Sequence, residues 1–213
     1  MIKLPVPTFN TSLNHLMKYY ILSFFCFLSF YSKAQLLDSL TLDTMQAHVS
    51  MQEALKNPDA VIKLVLRKQH LKSFPNDILK FKNLQYLDIS KNSISELPDS
   101  IYLLSNLQYF ACSKTGLKRL PKELGRLRNL VYLNFNQNDL ESLPPQIGNL
   151  EKLEMLDLWS NNFDEYPSTL TGLKSLKVLD LRNILISDEV QANIISQLPK
   201  AKVYMSPSCK CKW

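Results

Sequence analysis

Glycine and histidine are scarce in this sequence of 213 residues, and their scarcity limits the chemistry that it can support. The four glycines, at Gly116, Gly125, Gly148 and Gly172, do not form a G-x-G-x-x-G or G-x-x-x-x-G-K-[ST] phosphate-binding loop. Three histidines are too few for a histidine-rich metal centre or a recognisable catalytic triad. We therefore expect no catalytic residues, no metal and no cofactor.

Long hydrophobic runs are also missing except near the N-terminus, where residues 19–31 are uncharged and rich in aromatic side chains. A membrane-spanning helix needs about 20 apolar residues, more than this run contains. A small-x-small sequence ending at Ala34 follows it, as at a signal-peptidase site. We predict a signal peptide over residues 1–34, with Gln35 as the first mature residue and Met17 as an alternative start. An uncleaved membrane anchor is the competing interpretation, but after cleavage we expect no stable membrane span.

Basic residues outnumber acidic ones by 25 to 19, but three of the lysines lie in the predicted leader. The mature chain keeps 22 basic and 19 acidic residues, a net charge of +3. Because the remaining basic residues form no clustered stripe, we expect no nucleic-acid partner. The predicted destination is the periplasm, the cell surface or the medium.

A repeat of 23 residues organises the chain from residue 61 to residue 198. Six units align without a gap and begin at Val61, Leu84, Leu107, Leu130, Leu153 and Leu176. Counting the first residue as offset 0, apolar residues recur at offsets 3, 5 and 10. Proline recurs at offset 14 in five units, as Pro75, Pro98, Pro121, Pro144 and Pro167. Alternation around offsets 3 and 5 is typical of a strand with one buried face, so each unit predicts one short strand.

The repeated pattern L-x-x-L-x-L-x-x-N-x-L-x-x-L-P-x-x-I-x-x-L resembles the leucine-rich-repeat family, in its short Ras-suppressor-like class. The resemblance implies an α/β solenoid of horseshoe shape, with a parallel concave β-sheet and a partly helical or 3-10 convex wall. It also implies that Asn92, Asn138 and Asn161, at offset 8, form a structural ladder that binds backbone groups of adjacent turns. Gln69, Thr115 and Ile184 interrupt that ladder.

Both ends of the repeat array have sequence signals for caps. Residues 35–60 form a predicted N-terminal cap, in which Ser50 opens a short helix that ends near Asn57-Pro58. At the other end Ser187 begins a predicted helix, and residues 202–205 predict a terminal strand. Residues 199–213 complete the C-terminal cap.

Cysteine is rare, and a Cys-x-Cys pair stands at the C-terminus. Cys209 and Cys211 are favoured to form a disulfide, while metal binding with a partner and the reduced state are the alternatives. Two ligands cannot make a closed zinc site. Cys112 falls at a buried strand position and is predicted to be a core residue.

Residues at offsets 2, 4 and 6 are predicted to project from the concave face and to bind a partner. They include Tyr86, Asp88, Tyr109, Tyr132, Asn134, Met155, Asp157, Trp159, Asp180 and Arg182. Tyrosine and tryptophan are enriched at binding hot spots, so the aromatic ladder is the preferred surface. The competing interpretation is that the ladder is cross-strand packing alone. Asp157 and Asp180 resemble an acid pair or a cation site, but no nucleophile accompanies them and two carboxylates are too few ligands.

The sequence thus predicts an exported, non-catalytic protein that binds another protein through its concave face. A carbohydrate- or envelope-binding module that uses the same aromatic ladder is the alternative. We expect a monomer, because both ends have caps.

Overall fold

The structure, a computed structural model, describes residues 35–208 of the chain. In that range there are seven β-strands: β1 Lys63–Val65, β2 Tyr86–Asp88, β3 Tyr109–Ala111, β4 Tyr132–Asn134, β5 Met155–Asp157, β6 Val178–Leu181 and β7 Lys202–Met205. The α-helices are α1 Ser39–Thr44, α2 Met51–Ala54 and α3 Asp188–Gln197. The 3-10 helices are Pro58–Ala60, Asn76–Lys80, Asp99–Leu103, Lys122–Arg126, Pro145–Asn149 and Ser168–Gly172. These elements belong to one compact unit that begins at Leu36.

The strands form a single parallel sheet in chain order from β1 to β7. Equivalent residues of successive repeats lie side by side, so that Tyr109 of β3 is beside Tyr86 on one side and Tyr132 on the other. The 23-residue period of the sequence is therefore the register of the sheet. The predicted solenoid with a parallel sheet and a 3-10 wall is confirmed.

The core lies between the sheet and the 3-10 helices and is built from the repeated apolar columns. Leu87, Leu133 and Leu156, all at offset 3, are fully buried. The larger side chains Phe110 and Phe135 meet edge to face, with ring centroids 5.4 Å apart. Burying a leucine or phenylalanine contributes about 1.5–3 kcal/mol, and a single unit cannot bury both of its apolar faces alone, so the repeats stabilise one another.

The chain turns sharply after each strand, at the residue in offset 7. This residue adopts a left-handed backbone with φ between 54° and 59° in all six units: Lys68, Lys91, Lys114, Gln137, Ser160 and Asn183. Residues other than glycine adopt this conformation at a cost, so neighbouring hydrogen bonds must hold it in place.

The asparagines at offset 8 provide such hydrogen bonds. The Asn138 Oδ1 accepts from the backbone N–H groups of Thr115 (2.9 Å) and Leu117 (3.1 Å) in the preceding unit. Its Nδ2 donates to two backbone carbonyls at 2.7 and 2.9 Å. Asn92 makes the same four bonds and Asn161 makes three of them. Each amide joins two adjacent turns and leaves few buried backbone groups unpaired.

The outer wall is formed by the 3-10 helices, most of which follow a proline. The proline carbonyl accepts the first hydrogen bond of the helix, as when Pro144 accepts from the Ile147 N–H (2.9 Å). Glycine allows neighbouring 3-10 helices to touch, because a Cβ added at Gly148 would overlap the carbonyl oxygen of Thr169. The wall is therefore packed backbone against backbone at this point.

The segment before the first repeat covers the N-terminal edge of the sheet. His48 exchanges two backbone hydrogen bonds of 2.9 Å with β1. The helix α2 begins after Ser50, whose Oγ accepts from the Glu53 N–H (3.4 Å), and it buries Ala54 against the core. The helix α1 is an addition that the sequence analysis does not predict.

At the C-terminal end, α3 and β7 continue the architecture. Ser187 caps α3 by accepting from the Val190 N–H (3.4 Å), and Ile194 of α3 is fully buried. The predicted disulfide of Cys209 and Cys211 lies outside the described residues, as does the predicted signal peptide over residues 1–34.

Candidate functional site

The candidate site is the inner face of the sheet, which is the predicted concave face and points away from the core. Its central feature is a column of three half-buried rings, Tyr86, Tyr109 and Tyr132, which we call the tyrosine stack. The ring centroids are 3.9 Å apart for the first pair and 4.3 Å for the second, and each pair of ring planes differs by 2°. Parallel strands in register, about 4.8 Å apart, impose this stacking on identical side chains at one offset.

Stacking leaves the tyrosine ring faces largely covered. Tyr109 has a tyrosine on each side, and the outer face of Tyr86 carries the ammonium of Lys63, 4.5 Å from the ring centroid. Tyr132 is followed in the next strand by Met155. The stack therefore presents ring edges and hydroxyl groups to a ligand, not flat aromatic faces.

Two of the tyrosine hydroxyls, those of Tyr86 and Tyr109, remain protonated at neutral pH. Burial raises the pKa of Tyr109 far above its ordinary value, and burial also raises the pKa of Tyr86. The Tyr132 hydroxyl accepts a hydrogen bond from the Asn134 side chain (3.3 Å). The stack can therefore donate and accept hydrogen bonds, and Tyr86 and Tyr109 supply no phenolate for acid–base chemistry.

Met155 and Trp159 continue this surface beyond the stack. Both are half-buried, and Met155 lies beside Tyr132 in the sheet. Met155 thus extends the stack into β5, and Trp159 adds a separate amphipathic ring four residues further along the same unit.

The polar residues at offset 4 have a structural task that sequence reasoning missed. Each accepts a hydrogen bond from the backbone N–H two residues later, at 2.9–3.1 Å: Asp88 from Ser90, Asn134 from Asn136, Asp157 from Trp159 and Asp180 from Arg182. This is the local bond with which aspartate and asparagine stabilise turns. In the unit with alanine at offset 4, the Ser113 N–H instead donates to the Ser90 Oγ (3.0 Å). The column therefore caps the ends of the strands.

Two of these carboxylates are also neutralised by arginine. Asp88 is only 3% exposed, and its Oδ2 lies 2.8 Å from Nη1 of Arg67. Asp180 is buried too and accepts from Arg182 through Nη2 (2.6 Å) and Nε (3.0 Å). Neither carboxylate is free for a partner, although the Arg182 side chain is exposed.

Asp157 differs from the other carboxylates because it has no arginine in direct contact. Its Oδ2 accepts from the Asn136 Nδ2 (2.6 Å). Burial raises the pKa of Asp157; the Asn136 and Trp159 hydrogen bonds oppose this increase, and the nearby Asp180 carboxylate adds to it. Because Asp180 is held by Arg182, the two aspartates are not an equivalent acid pair that shares a proton.

A segment that the sequence analysis assigned only to the N-terminal cap, residues 36–45, lies against the inner face, and we call it the strap. The Leu37 N–H donates to Oε1 of Gln85 (2.8 Å), and the Leu37 carbonyl accepts from Nε2 of Gln108 (2.8 Å). Leu42, in α1, is 4% exposed. The strap thus combines a clamped backbone with one buried apolar anchor.

Lys63 attaches α1 to the sheet. It occupies offset 2, the column that holds the tyrosines in later units, and is 8% exposed. Its Nζ donates to the carbonyls of Leu42 (2.7 Å) and Asp43 (2.9 Å) in the last turn of α1. A cation at the C-terminal end of a helix is favoured by the unpaired carbonyls there. The signal in the sequence was a lysine at offset 2 of the first unit, where the other five units have aromatic or apolar residues.

A groove of about 560 Å³ runs between the strap and the tyrosine stack. Leu42 and Asp43 form one wall, and Glu154 and Met155 lie at the far end. The groove is a composite of the strap and the strand entries of β2 to β5.

Other chemistry on the described residues is limited. The thiol of Cys112 is fully buried, and burial raises its pKa to about 12. Within residues 35–208 no three His, Cys, Asp or Glu side chains are grouped as a metal site, and no helix there is long and apolar enough to span a bilayer.

Family comparisons agree with the repeat geometry. The model of a leucine-rich repeat region matches residues 112–198, and the model of the leucine-rich repeat matches residues 83–104. No curated protein matches the chain in a sequence comparison.

Several solved structures are similar to the chain. A leucine-rich-repeat protein of Leptospira interrogans is 31% identical with a TM-score of 0.62, over 78% of this chain and 49% of that one. Internalin C2 of Listeria monocytogenes is 25% identical with a TM-score of 0.63, over 71% and 64%. The ectodomain of the plant membrane receptor kinase GASSHO1/SCHENGEN3 from Arabidopsis thaliana, in complex with CASPARIAN STRIP INTEGRITY FACTOR 2, is 25% identical with a TM-score of 0.59, over 73% and 19%.

The chain spans less than two thirds of the length of each of these proteins. The similarity nevertheless covers most of the repeats, and the two family models match segments that hold the strands β2 and β4 to β6. With its 23-residue register and its asparagine ladder, the chain belongs to the leucine-rich-repeat family.

Proposed function

We propose that this chain is a non-catalytic, exported interaction module that binds a partner protein through the inner face of its sheet. The observation that carries the proposal is the tyrosine stack, which Met155 extends into the next strand, with Trp159 as a further ring on the same face. The other repeated residues have scaffold tasks: the leucines fill the core, the asparagines join turns, and the offset-4 residues cap strands. The aromatic column is where this chain adds something to its scaffold.

The proposed contact surface has an aromatic centre and a polar margin. The tyrosine stack and Trp159 form the centre, where half-buried rings combine apolar area with polar tips. Asn134, Asp157 and Arg182 form the margin. Asp88 and Asp180 act indirectly, by positioning arginine side chains and turns, because both carboxylates are buried.

Cross-strand packing and partner binding are compatible uses of the tyrosine stack. Packing alone accounts for the rings in contact with one another, but the stack also lines a groove whose opposite wall is the strap. A ladder that served the sheet alone would not need a second wall.

The similar structures support an interaction module as a class. The GASSHO1/SCHENGEN3 ectodomain was solved with CASPARIAN STRIP INTEGRITY FACTOR 2 in complex. Proteins that share a fold do not in general share a binding partner. The partner of this chain therefore depends on the residues of its own inner face.

Carbohydrate binding is disfavoured by the stack itself. A sugar ring packs on the flat face of an aromatic side chain, and both faces of Tyr109 are covered by tyrosines. Trp159 and Tyr204 are further rings on this face, and Tyr204 already has the cations of Arg182 and Lys202 at 5.5 and 4.7 Å from its ring centroid.

Export is proposed from the sequence of residues 1–34, and a monomer from the covered N-terminal edge of the sheet. N-terminal sequencing of the secreted product tests export, with Gln35 expected as the first residue. An intact N-terminus on a membrane-bound product would contradict it.

The partner-binding proposal is tested by photo-crosslinking capture from the native envelope and medium. The variant Tyr132→Ala/Trp159→Ala removes two inner-face rings. The matched control is Tyr102→Ala, which removes a half-buried ring from the outer wall, where it stacks 3.8 Å from the Arg126 guanidinium. Circular dichroism must show both variants folded.

We expect one discrete protein to be captured by the native chain and the Tyr102→Ala control, and to be lost from the inner-face variant. Equal capture by all three would overturn the proposal, because the binding surface would lie elsewhere. Retention by glycan alone would also overturn it.

A further inference from the structure

We propose that the groove between the strap and the tyrosine stack receives an extended segment of the partner that carries a basic side chain. This inference rests on the proposed function, because it names the feature of the partner that the inner face recognises.

The dimensions of the groove fit a short stretch of chain. Its volume of about 560 Å³ is that of a ligand pocket, not of a packing defect. It is lined by residues of β2 to β5, which corresponds to three strand spacings, or roughly 14 Å. At about 3.4 Å per residue, roughly four residues of an extended peptide would cross it.

The strap shows how side chains that precede the strands can hold a non-helical backbone. Gln85 and Gln108 lie one repeat apart, and together they bind both the N–H and the carbonyl of Leu37. The Gln108 Nε2 also donates to Oε1 of Gln85 (2.9 Å), which fixes the pair. A main chain is therefore already held by the side chains that precede β2 and β3, and Gln108 also lines the groove.

The acidic residues of the groove lining favour a basic side chain on the partner. Asp43 and Glu154 line the groove, and none of its described lining residues is basic. Two cations lie beside the lining: Lys63, which is held by two carbonyls of α1 and by the Tyr86 ring, and Lys177, which pairs with Glu154. A lysine or arginine of the partner would therefore pair with Asp43 at one wall, or replace Lys177 at Glu154 at the far end of the groove.

Glu154 has one competitor at the surface. Lys177 lies 2.7 Å from its Oε2, but the lysine and glutamate side chains are 68% and 42% exposed. Exposed pairs of this kind contribute little, so a partner cation can replace Lys177 at small cost. The methylene groups of an incoming lysine or arginine would pack on Leu42, Val131 and Met155, which are apolar parts of the same lining.

Selection from a displayed library of random octapeptides tests this inference without knowledge of the partner. The full chain is compared with Asp43→Asn/Glu154→Gln, which removes both charges and keeps the side-chain shapes. The matched control is Asp99→Asn/Glu123→Gln, which removes two acids from the 3-10 helices of the outer wall. Affinities of the selected peptides are then measured by fluorescence anisotropy for all three chains.

We expect the peptides selected on the native chain to share an arginine or lysine. Their affinity should fall at least tenfold for the groove variant and stay unchanged for the control. Selected peptides without a shared basic residue, equal binding to the groove variant, or no enriched peptide at all would each overturn the inference.

The outcomes also separate this inference from the proposed function. Peptides that lose affinity on Tyr132→Ala/Trp159→Ala but show no basic preference would leave inner-face binding intact and reject the charged groove. Loss of crosslinked capture in the inner-face variant, with unchanged capture by Asp43→Asn/Glu154→Gln, would lead to the same conclusion.

Discussion

The substitution Lys63→Met is predicted to release the strap from the inner face while the repeats stay folded. Methionine keeps most of the aliphatic length of the side chain but cannot donate to Leu42 and Asp43, which the Lys63 ammonium binds at 2.7 and 2.9 Å. It also removes the cation 4.5 Å from the Tyr86 ring centroid. The remaining attachments are the burial of Leu42 and the clamp on Leu37.

The expected loss follows from the two hydrogen bonds. A hydrogen bond to a charged group contributes about 1.5–3 kcal/mol, but the released carbonyls of a surface helix regain water. We therefore expect the free energy of strap opening to fall by about 2 kcal/mol, which corresponds to roughly 30-fold faster exchange of its protected amides. The amides concerned include those of Leu37, Leu42 and Met45, which donate hydrogen bonds in the folded strap.

Hydrogen exchange followed by mass spectrometry measures this effect on peptides that cover residues 36–46. Lys202→Met is the matched control, because Lys202 lies in the same column at the other end of the sheet, 4.7 Å from the Tyr204 ring centroid, and is exposed. The control should leave strap exchange unchanged. Unchanged strap exchange in Lys63→Met itself would refute the assignment of Lys63 as the attachment point.

Three further predictions concern the scaffold and its charges. Asn138→Ala should lower the free energy of unfolding by roughly 3 kcal/mol, because it leaves several buried backbone groups unpaired. Urea denaturation measures this loss, and the control substitution of the exposed Asn162, Asn162→Ala, should cost less than about 0.5 kcal/mol. Gly148→Ala should cost about 1–3 kcal/mol by forcing two 3-10 helices apart, whereas Asn149→Ala on the same helix should be nearly neutral; equal stability of both would contradict the close backbone contact. The pKa of Asp157 is raised in the folded chain, so the native state holds its proton more tightly, and the contribution of this residue to stability falls as pH rises from 3.8 through the folded pKa. Stability measured against pH should therefore show Asp157→Asn gaining relative to the native chain across that window, and a constant difference would contradict the raised pKa.

Much of the fold could be predicted because each structural position occurs six times in the sequence, once in each unit. The apolar residue at offset 3 is buried in every unit, and the register of 23 residues is the spacing of the strands. The asparagine ladder was implied by the family resemblance, and in the three units with asparagine at offset 8 the amide meets equivalent backbone groups.

The candidate site was predicted less completely, for two physical reasons. An alternating pattern separates buried from outward-facing residues, but it does not distinguish a side chain offered to a partner from one that bonds to its own turn. Asp88 and Asp180 were therefore assigned to the binding surface, although both are buried and paired with arginine. The strap was missed because its contacts join residues 20 or more positions apart and leave no local period.

The tyrosine column shows which features follow from the sequence pattern and which depend on the tertiary structure. Its existence followed from the sequence, since identical residues at one offset of a parallel repeat must be neighbours. That the rings lie face to face at 3.9 and 4.3 Å, and so offer edges and hydroxyls, depends on side-chain orientations that the pattern does not encode.

The sequence by itself thus determined the short strands, their register and the core, because these arise from short-range periodicity repeated in phase, and its resemblance to the leucine-rich-repeat family implied the solenoid and the asparagine ladder. Tertiary structure alone decided that Lys63 holds α1, that a single aspartate at offset 4 of the inner face, Asp157, lacks an arginine partner among the described residues, and that a groove separates the strap from the tyrosine stack. These features depend on contacts between non-repeating residues that are far apart in the sequence. A periodic sequence pattern does not predict such contacts.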